Sequence, residues 1–262
     1  MGTAFADAVA KATGCLLAAA ALALSVAAPA LAGTLLDATR LVVDAEAREG
    51  SIVIRNDADR PALVQVWIDD GRSDAPIEAL DMPLQVLQPL LRLEPRGSQR
   101  IRVHVVQPQR LPADRESLYW LNVLEIPPKD AAAVAGKGFD STMQSLEMVV
   151  RSRLKLIHRP AGLHGSPSAA AAALVWRASP AGNGVEVHNA TPWLINLAEA
   201  AVGRQHRVAL GDGSILPLST RTFVLEDGEA VSASAGTGVR YGWIDDLGAV
   251  KEQAVSLQTS GE

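Results

Sequence analysis

The sequence contains a single cysteine, Cys15, and it falls at the start of an apolar run near the N-terminus. Residues 33–262 therefore hold no thiol, which excludes both a disulfide framework and a cysteine-ligated metal site there. Histidine is sparse as well. His104, His158, His164, His188 and His206 form neither an HxxxH nor an HExxH spacing, so the helical zinc signature is missing. His104 and His188 read as ordinary strand positions. There is no G-x-S-x-G elbow for a nucleophilic serine. Gly136-Lys137-Gly138 lacks the preceding glycine and the following Ser/Thr of a phosphate loop, and reads as a loop tip. Asp212-Gly213-Ser214 lacks the remaining ligands of a calcium loop and reads as a turn. Basic charge is not in excess: the net charge is −5, against the cationic surface that nucleic-acid binding requires. No catalytic residue, metal or cofactor is expected, and no nucleic-acid partner.

Long hydrophobic runs are absent beyond the first 32 residues, which read as an export signal. Lys11 supplies the positive charge, residues 15–28 are almost wholly apolar, and Ala30-Leu31-Ala32 fits the small-x-small cleavage rule. The alternative is a membrane anchor, but the run is shorter than the roughly 20 residues that cross a bilayer. Cleavage after Ala32 removes Asp7 and Lys11 together, so the charge stays at −5 and no membrane span remains. An exported chain of about 230 residues without disulfides must be held by hydrophobic cores, as one large β domain or two of about 100 residues.

Residues 34–160 read as short β segments. Leu41-Val42-Val43, Ser51 to Arg55, and Ala62 to Ile68 come first, and Arg100 to Val105 alternates polar with apolar residues. Turn chemistry separates them at Asn56 to Pro61, Asp69-Asp70-Gly71 and Glu94-Pro95-Arg96-Gly97. The run from Ser117 to Ile126 follows a charged corner and stops at Pro127-Pro128, neither of which can donate to a ladder. Arg159 to Pro167 has linker composition. Strand-like segments then resume at Leu174 to Arg177, Gly184 to Asn189, Trp193 to Leu197, Arg221 to Leu225 and Val239 to Ile244. The alanines 169–173 could make a single helical turn. This spacing predicts an all-β chain of two antiparallel sandwiches, 33–160 and 161–262.

The segment Leu111 to Pro128 resembles the signature of the periplasmic pilus-assembly chaperones of the chaperone–usher pathway. Asp37 to Arg40, Pro61 to Ile68, Leu91 to Pro95, Leu154 to Pro160 and Val187 to Trp193 extend the resemblance over most of the chain. The wording around Val66 to Gly71 looks closest to the archaic branch. The resemblance implies two immunoglobulin-like β-sandwich domains set at an angle around a cleft. It implies a non-enzymatic role: binding, folding and capping pilus subunits by donor-strand complementation, then delivering them to an outer-membrane usher. Arg40 and Lys155 match the pair that grips the subunit's C-terminal carboxylate. Leu146, Met148 and Val150 match the apolar anchors of the donor strand, although these three could instead face their own core. Lys155 has the opposite parity to them, so a shared face would need a bulge. Glu116, Arg159 and Asp246 match a charged trio tying the domains together. Segment 129–145 would be the loop before the donor strand, ordered by a subunit. An exposed donor strand also implies self-association. Gln88-Pro89-Leu90 departs from the family's double proline, and Ala190 stands where proline is usual. A pilus subunit or adhesin is the competing reading, but it should carry an apolar N-terminal donor extension and an incomplete sandwich. An exported β-sandwich enzyme or sugar-binding protein would need a clustered catalytic or aromatic site.

Overall fold

The computed structural model describes residues 33–126, 149–203, 206–228 and 237–258. The export segment, the 129–145 loop with its Gly136-Lys137-Gly138 tip, and the anchors Leu146 and Met148 lie outside the described residues. In the first domain the strands are β1 (Thr34–Leu36), β2 (Arg40–Asp44), β3 (Glu49–Asn56), β4 (Ala62–Asp69), β5 (Leu84–Val86), β6 (Leu90–Leu93), β7 (Ser98–Val105), β8 (Ser117–Ile126) and β9 (Val150–Arg159). Alternation decides which way each side chain turns: Ile52 and Ile54, Val64, Val66 and Ile68, Ile101 and Val103, and Leu121 and Val123 are all buried in one core. The described strands form a sheet in the order β5-β7-β3-β2-β9-β8-β4-β6, with β1 on β3, and it curls around that core.

Among the described residues the antiparallel expectation fails at one pair of strands and at a lone parallel bridge between Arg177 and Gln258. Strand β2 runs parallel to β9, with Arg40 opposite Lys155 and Asp44 opposite Arg159. Its ladder to β3 is the single pair Asp44 and Glu49. These partners come from opposite ends of the domain's sequence, so no short hairpin dictates their direction.

After the linker, helix α1 (Pro167–Ala172) opens the second domain, so the alanine run is helical over more than a turn. Ser166 caps it, accepting from the Ala169 N–H at 3.2 Å, with Pro167 in the first helical position. The strands are β10 (Val175–Ala178), β11 (Gly184–Asn189), β12 (Ile195–Val202), β13 (His206–Ala209), β14 (Ser214–Ile215), β15 (Ser219–Leu225), β16 (Gly238–Ile244) and β17 (Val250–Ser256). Their order is β10-β11-β15-β13-β12-β16-β17, with β14 on β12. The core centres on Trp176, fully buried and 5.0 Å from the Tyr241 ring. The Tyr241 hydroxyl donates to the Ala171 carbonyl at 2.6 Å and so pins α1 to the sheet.

The two cores share no residue. One glycine matters to the joint between them. Gly213 has φ +65°, and a Cβ there would lie 2.1 Å from the Leu197 carbonyl oxygen. Only glycine lets the 211–213 turn lie against β12, and that turn presents the Asp212 carbonyl to the first domain. Among the described residues no helix is long and apolar enough to cross a membrane, and no cluster of three or more His, Cys, Asp or Glu is placed to hold a metal.

Candidate functional site: a cationic cleft beside a free strand edge

Arg40 opens β2 and Lys155 sits in β9 directly opposite it, so the topology itself brings these cations together. Arg40 is 7% exposed. Its Nη1 donates to the Ile244 carbonyl, at the end of β16, at 3.3 Å, while its buried Nε has no partner among the described residues. Burial lowers its pKa, against the opposing pull of Asp246 and Asp245. The Lys155 ammonium donates to Asn196 Oδ1 on β12 and to the Asp212 carbonyl. Burial chiefly, then the Arg40 and Arg221 charges, bring its pKa down to about 8 despite Asp212. Asp212 is itself held by the Arg221 guanidinium, which also donates to the Ser214 carbonyl at 2.7 Å. Two neighbouring cations, partly desolvated and each with N–H donors that meet no acceptor among the described residues, have the chemistry to receive an anion.

The second cluster joins the domains. Arg159 Nε donates to Glu116 Oε1 at 2.6 Å, and its other nitrogens meet both Asp246 oxygens at 2.7 and 3.0 Å. Arg159 thus bridges the two carboxylates that the resemblance grouped with it. The sequence reading missed their neighbours. The Leu194 N–H donates to Glu116 Oε2 at 2.7 Å, and the Glu116 N–H donates to the Pro192 carbonyl at 2.9 Å. The Arg159 guanidinium lies 4.9 Å over the Trp193 ring, whose Nε1 donates to the linker carbonyl of His164 at 2.9 Å. Burial pushes the Glu116 carboxyl upward in pKa, with Arg159 and the Leu194 N–H opposing. Asp246 and Glu116 together drive Arg159 upward in spite of its burial.

The register of β8 on β9 runs without a break from Glu125 opposite Val150 to Ser117 opposite His158. The bulge that parity seemed to require is therefore not present in this stretch. Leu154 and Leu156 lie in the core, so Val150 and Ser152 share their face, and Lys155 turns the opposite way into the cleft. Among the described residues Val150 continues the face of Leu154 and Leu156, while Lys155 faces the second domain. Val150 is nevertheless 50% exposed and Val149 61%. Strand β2 covers β9 only from Lys155 to Arg159, so among the described residues the opposite edge of 150–154 is unpaired.

The outer face of β9 carries a network that the sequence did not announce. Asp69, read there as a turn residue, is the buried last residue of β4. Its Oδ1 accepts from the Gly71 N–H at 2.7 Å and from Arg153 Nη2 at 2.6 Å, and its Oδ2 accepts from Asn122 Nδ2 at 2.7 Å. Asn122 Oδ1 in turn accepts from Arg151 Nε at 3.0 Å and Nη2 at 2.7 Å. Arg151 Nη1 reaches the Ser73 carbonyl at 3.0 Å. The two guanidiniums lie over Trp67 and Trp120, at 4.9 and 4.3 Å. The available signal was an asparagine and an aspartate inside apolar strands.

Comparison with known proteins agrees with this architecture. The N-terminal domain of pili and flagellar-assembly chaperones, PapD, matches residues 33–164, and the PapD C-terminal domain matches residues 169–254. The chaperone protein FimB/FhaD of Bordetella pertussis is 38% identical, over 88% of this chain and 91% of its own length. The Pseudomonas aeruginosa CupB2 chaperone superposes with a TM-score of 0.68 at 33% identity, covering 86% of this chain and all of that one. The Salmonella enterica SafB chaperone, solved in complex with the SafA pilin, matches with a TM-score of 0.70 at 25% identity, over 88% of this chain and 99% of that one. In both of its domains, the chain belongs to the PapD-like pilus-assembly chaperones.

Proposed function

We propose that this chaperone captures pilus subunits at the periplasmic face of the pathway and hands them to an outer-membrane usher. In this reading 1–32 is removed on export, 33–160 is the subunit-binding domain and 161–262 completes the cleft. The protein is a binder and not an enzyme, in keeping with its family. The observation that carries the reading is the Arg40–Lys155 pair standing at the end of a strand edge that is unpaired among the described residues. A subunit with an open groove would add its backbone to that edge, seat alternate apolar side chains from this chain in its core, and place its terminal carboxylate on the two cations. Each apolar anchor buried this way contributes about 1.5–3 kcal/mol. Val150 is half exposed on the core-side face, as such an anchor would be before it meets a guest; Leu146 and Met148 would continue its row. The Glu116–Arg159–Asp246 clasp would hold the interdomain angle, since buried ion pairs serve geometry better than stability. Without a guest, the same edge admits a second copy of the chain. SafB, a related chaperone, is solved in complex with the SafA pilin.

The test is direct. A peptide copying the last strand of a pilus subunit, with a free C-terminal carboxylate, should bind; its C-terminal amide should bind at least roughly tenfold more weakly, the loss of one charge-assisted contact. Equal binding of the two peptides removes the anchoring model.

A further inference from the structure

We propose that Asp69, Asn122, Arg151 and Arg153 form a clamp that holds the opening residues of β9 extended and in register for strand addition. The inference rests on the proposal that this edge receives a subunit. Residues 150–154 need such a device. They have β8 on one side and, among the described residues, nothing on the other. Before the buried Leu154 their core face gives little grip, because Val150 is half exposed and Ser152 is polar. An unpaired strand end of this kind would be expected to fray and to cost ordering entropy each time a guest pairs with it.

The outer face supplies what the core face lacks. Arg151 and Arg153 point away from the core; Arg151 is held at both ends of its guanidinium, and Arg153 through Nη2 and Nε on the single carboxylate of Asp69. Arg151 forks onto Asn122 Oδ1 of β8 and also reaches the Ser73 carbonyl beyond β4. Arg153 joins the fully buried Asp69 of β4, two strands away. The indole rings beneath them limit sideways movement. Hydrogen bonds from Arg153, Asn122 and the Gly71 N–H keep Asp69 ionised, below the usual carboxylate range, although its burial acts the other way. Three strands are thereby stitched on the side opposite the guest, and nothing on the binding edge is used up. A row fixed in this way lowers the entropy that a guest would otherwise have to overcome.

Arg151→Gln is the informative variant, because Asp69 keeps Arg153 and no buried charge is left alone. Hydrogen exchange at amides 150–153 should accelerate by about tenfold while amides 155–159, protected by β2, stay unchanged. Affinity for the free-carboxylate peptide should fall by about tenfold, with the preference over the amide intact because Arg40 and Lys155 are untouched. Arg151→Lys should fail to rescue, since a lysine keeps the charge but cannot fork onto one acceptor while reaching another. Unchanged exchange at 150–153, a uniform rise across β8 and β9, or full rescue by lysine would each overturn the clamp. If the wild-type protein does not distinguish acid from amide, the anchoring model fails, and the exchange measurement still decides the clamp.

Discussion

Arg40 and Lys155 stand opposite one another on parallel strands, yet each reaches a different part of the second domain: Arg40 the Ile244 carbonyl, Lys155 the Asn196 side chain and the Asp212 turn. The cleft is therefore closed on its cations by neutral acceptors rather than carboxylates. Arg40→Ala and Lys155→Ala should leave the protein folded, because each removes a partly desolvated charge and strands no buried carboxylate. Each should abolish recovery of co-expressed subunit from the periplasm. Full recovery with both changed would contradict the carboxylate grip.

The Lys155 ammonium, at a pKa of about 8 against an ordinary 10.5, would make a carboxylate grip pH-dependent. One pH unit above its pKa only about a tenth of the side chain remains charged, so peptide affinity should decline between pH 7 and pH 9. Stability should move the other way. The unfolded chain holds this proton more tightly than the folded one, so the lysine's contribution to stability rises with pH between about 8 and 10.5. Calorimetric binding and urea titration on the same samples would show the opposed slopes, and Lys155→Met should flatten both.

In the interdomain clasp the partners are unequal. The Glu116 side chain is 1% exposed and that of Asp246 is 40% exposed. Arg159→Leu strands a buried carboxylate and should cost about 3–5 kcal/mol, whereas Asp246→Ala should cost about 1 kcal/mol or less. The Glu116 carboxyl already titrates above its unfolded value, and the loss of Arg159 raises it further. Its contribution to stability is present in acid and lost as pH rises through the folded-state pKa, so the Arg159→Leu deficit should be small in acid and grow towards neutrality. A deficit independent of pH would mean that lost packing on Trp193, and not the stranded charge, is responsible.

Val150 and Leu154 lie on one face of β9 at very different depths, 50% and 5% exposed. Val150→Asp should weaken subunit capture while leaving the melting temperature within a few degrees. Leu154→Ala should lower stability by about 2–5 kcal/mol through the cavity it opens. If Val150→Asp unfolds the domain, this position belongs to the chaperone's own core.

Much of this was legible in the sequence because one-sided strands declare themselves. The alternation of Arg100 to Val105 and the apolar run of β8 became strands at almost the expected residues. Strand β17 was silent: Val250–Ser256 forms an outer strand with three of its first residues exposed, so no apolar period marks it. Direction was equally hidden. Nothing in Arg40 to Asp44 says that its neighbour will be β9, or that the pair will run parallel, since side-chain period is the same in both arrangements. The charged trio could be named only through the family resemblance, and the backbone groups of Pro192 and Leu194 that complete it carry no sequence signal. Asp69 was misplaced because Asp-Asp-Gly is also good turn chemistry, and it does make a turn bond to the Gly71 N–H. Its second task, on Asn122 and Arg153, depends on partners 53 and 84 residues away.

Because β2 begins at Arg40, it acts as a fixed stop. A strand laid alongside residues 150–154 in the direction of β9 is collinear with β2, and its last residue must halt where that strand starts. A tail extended by even one residue would run head-on into Arg40 instead of resting its terminus there. A strand added at this edge would thus be measured for length as well as for charge, by where β2 starts.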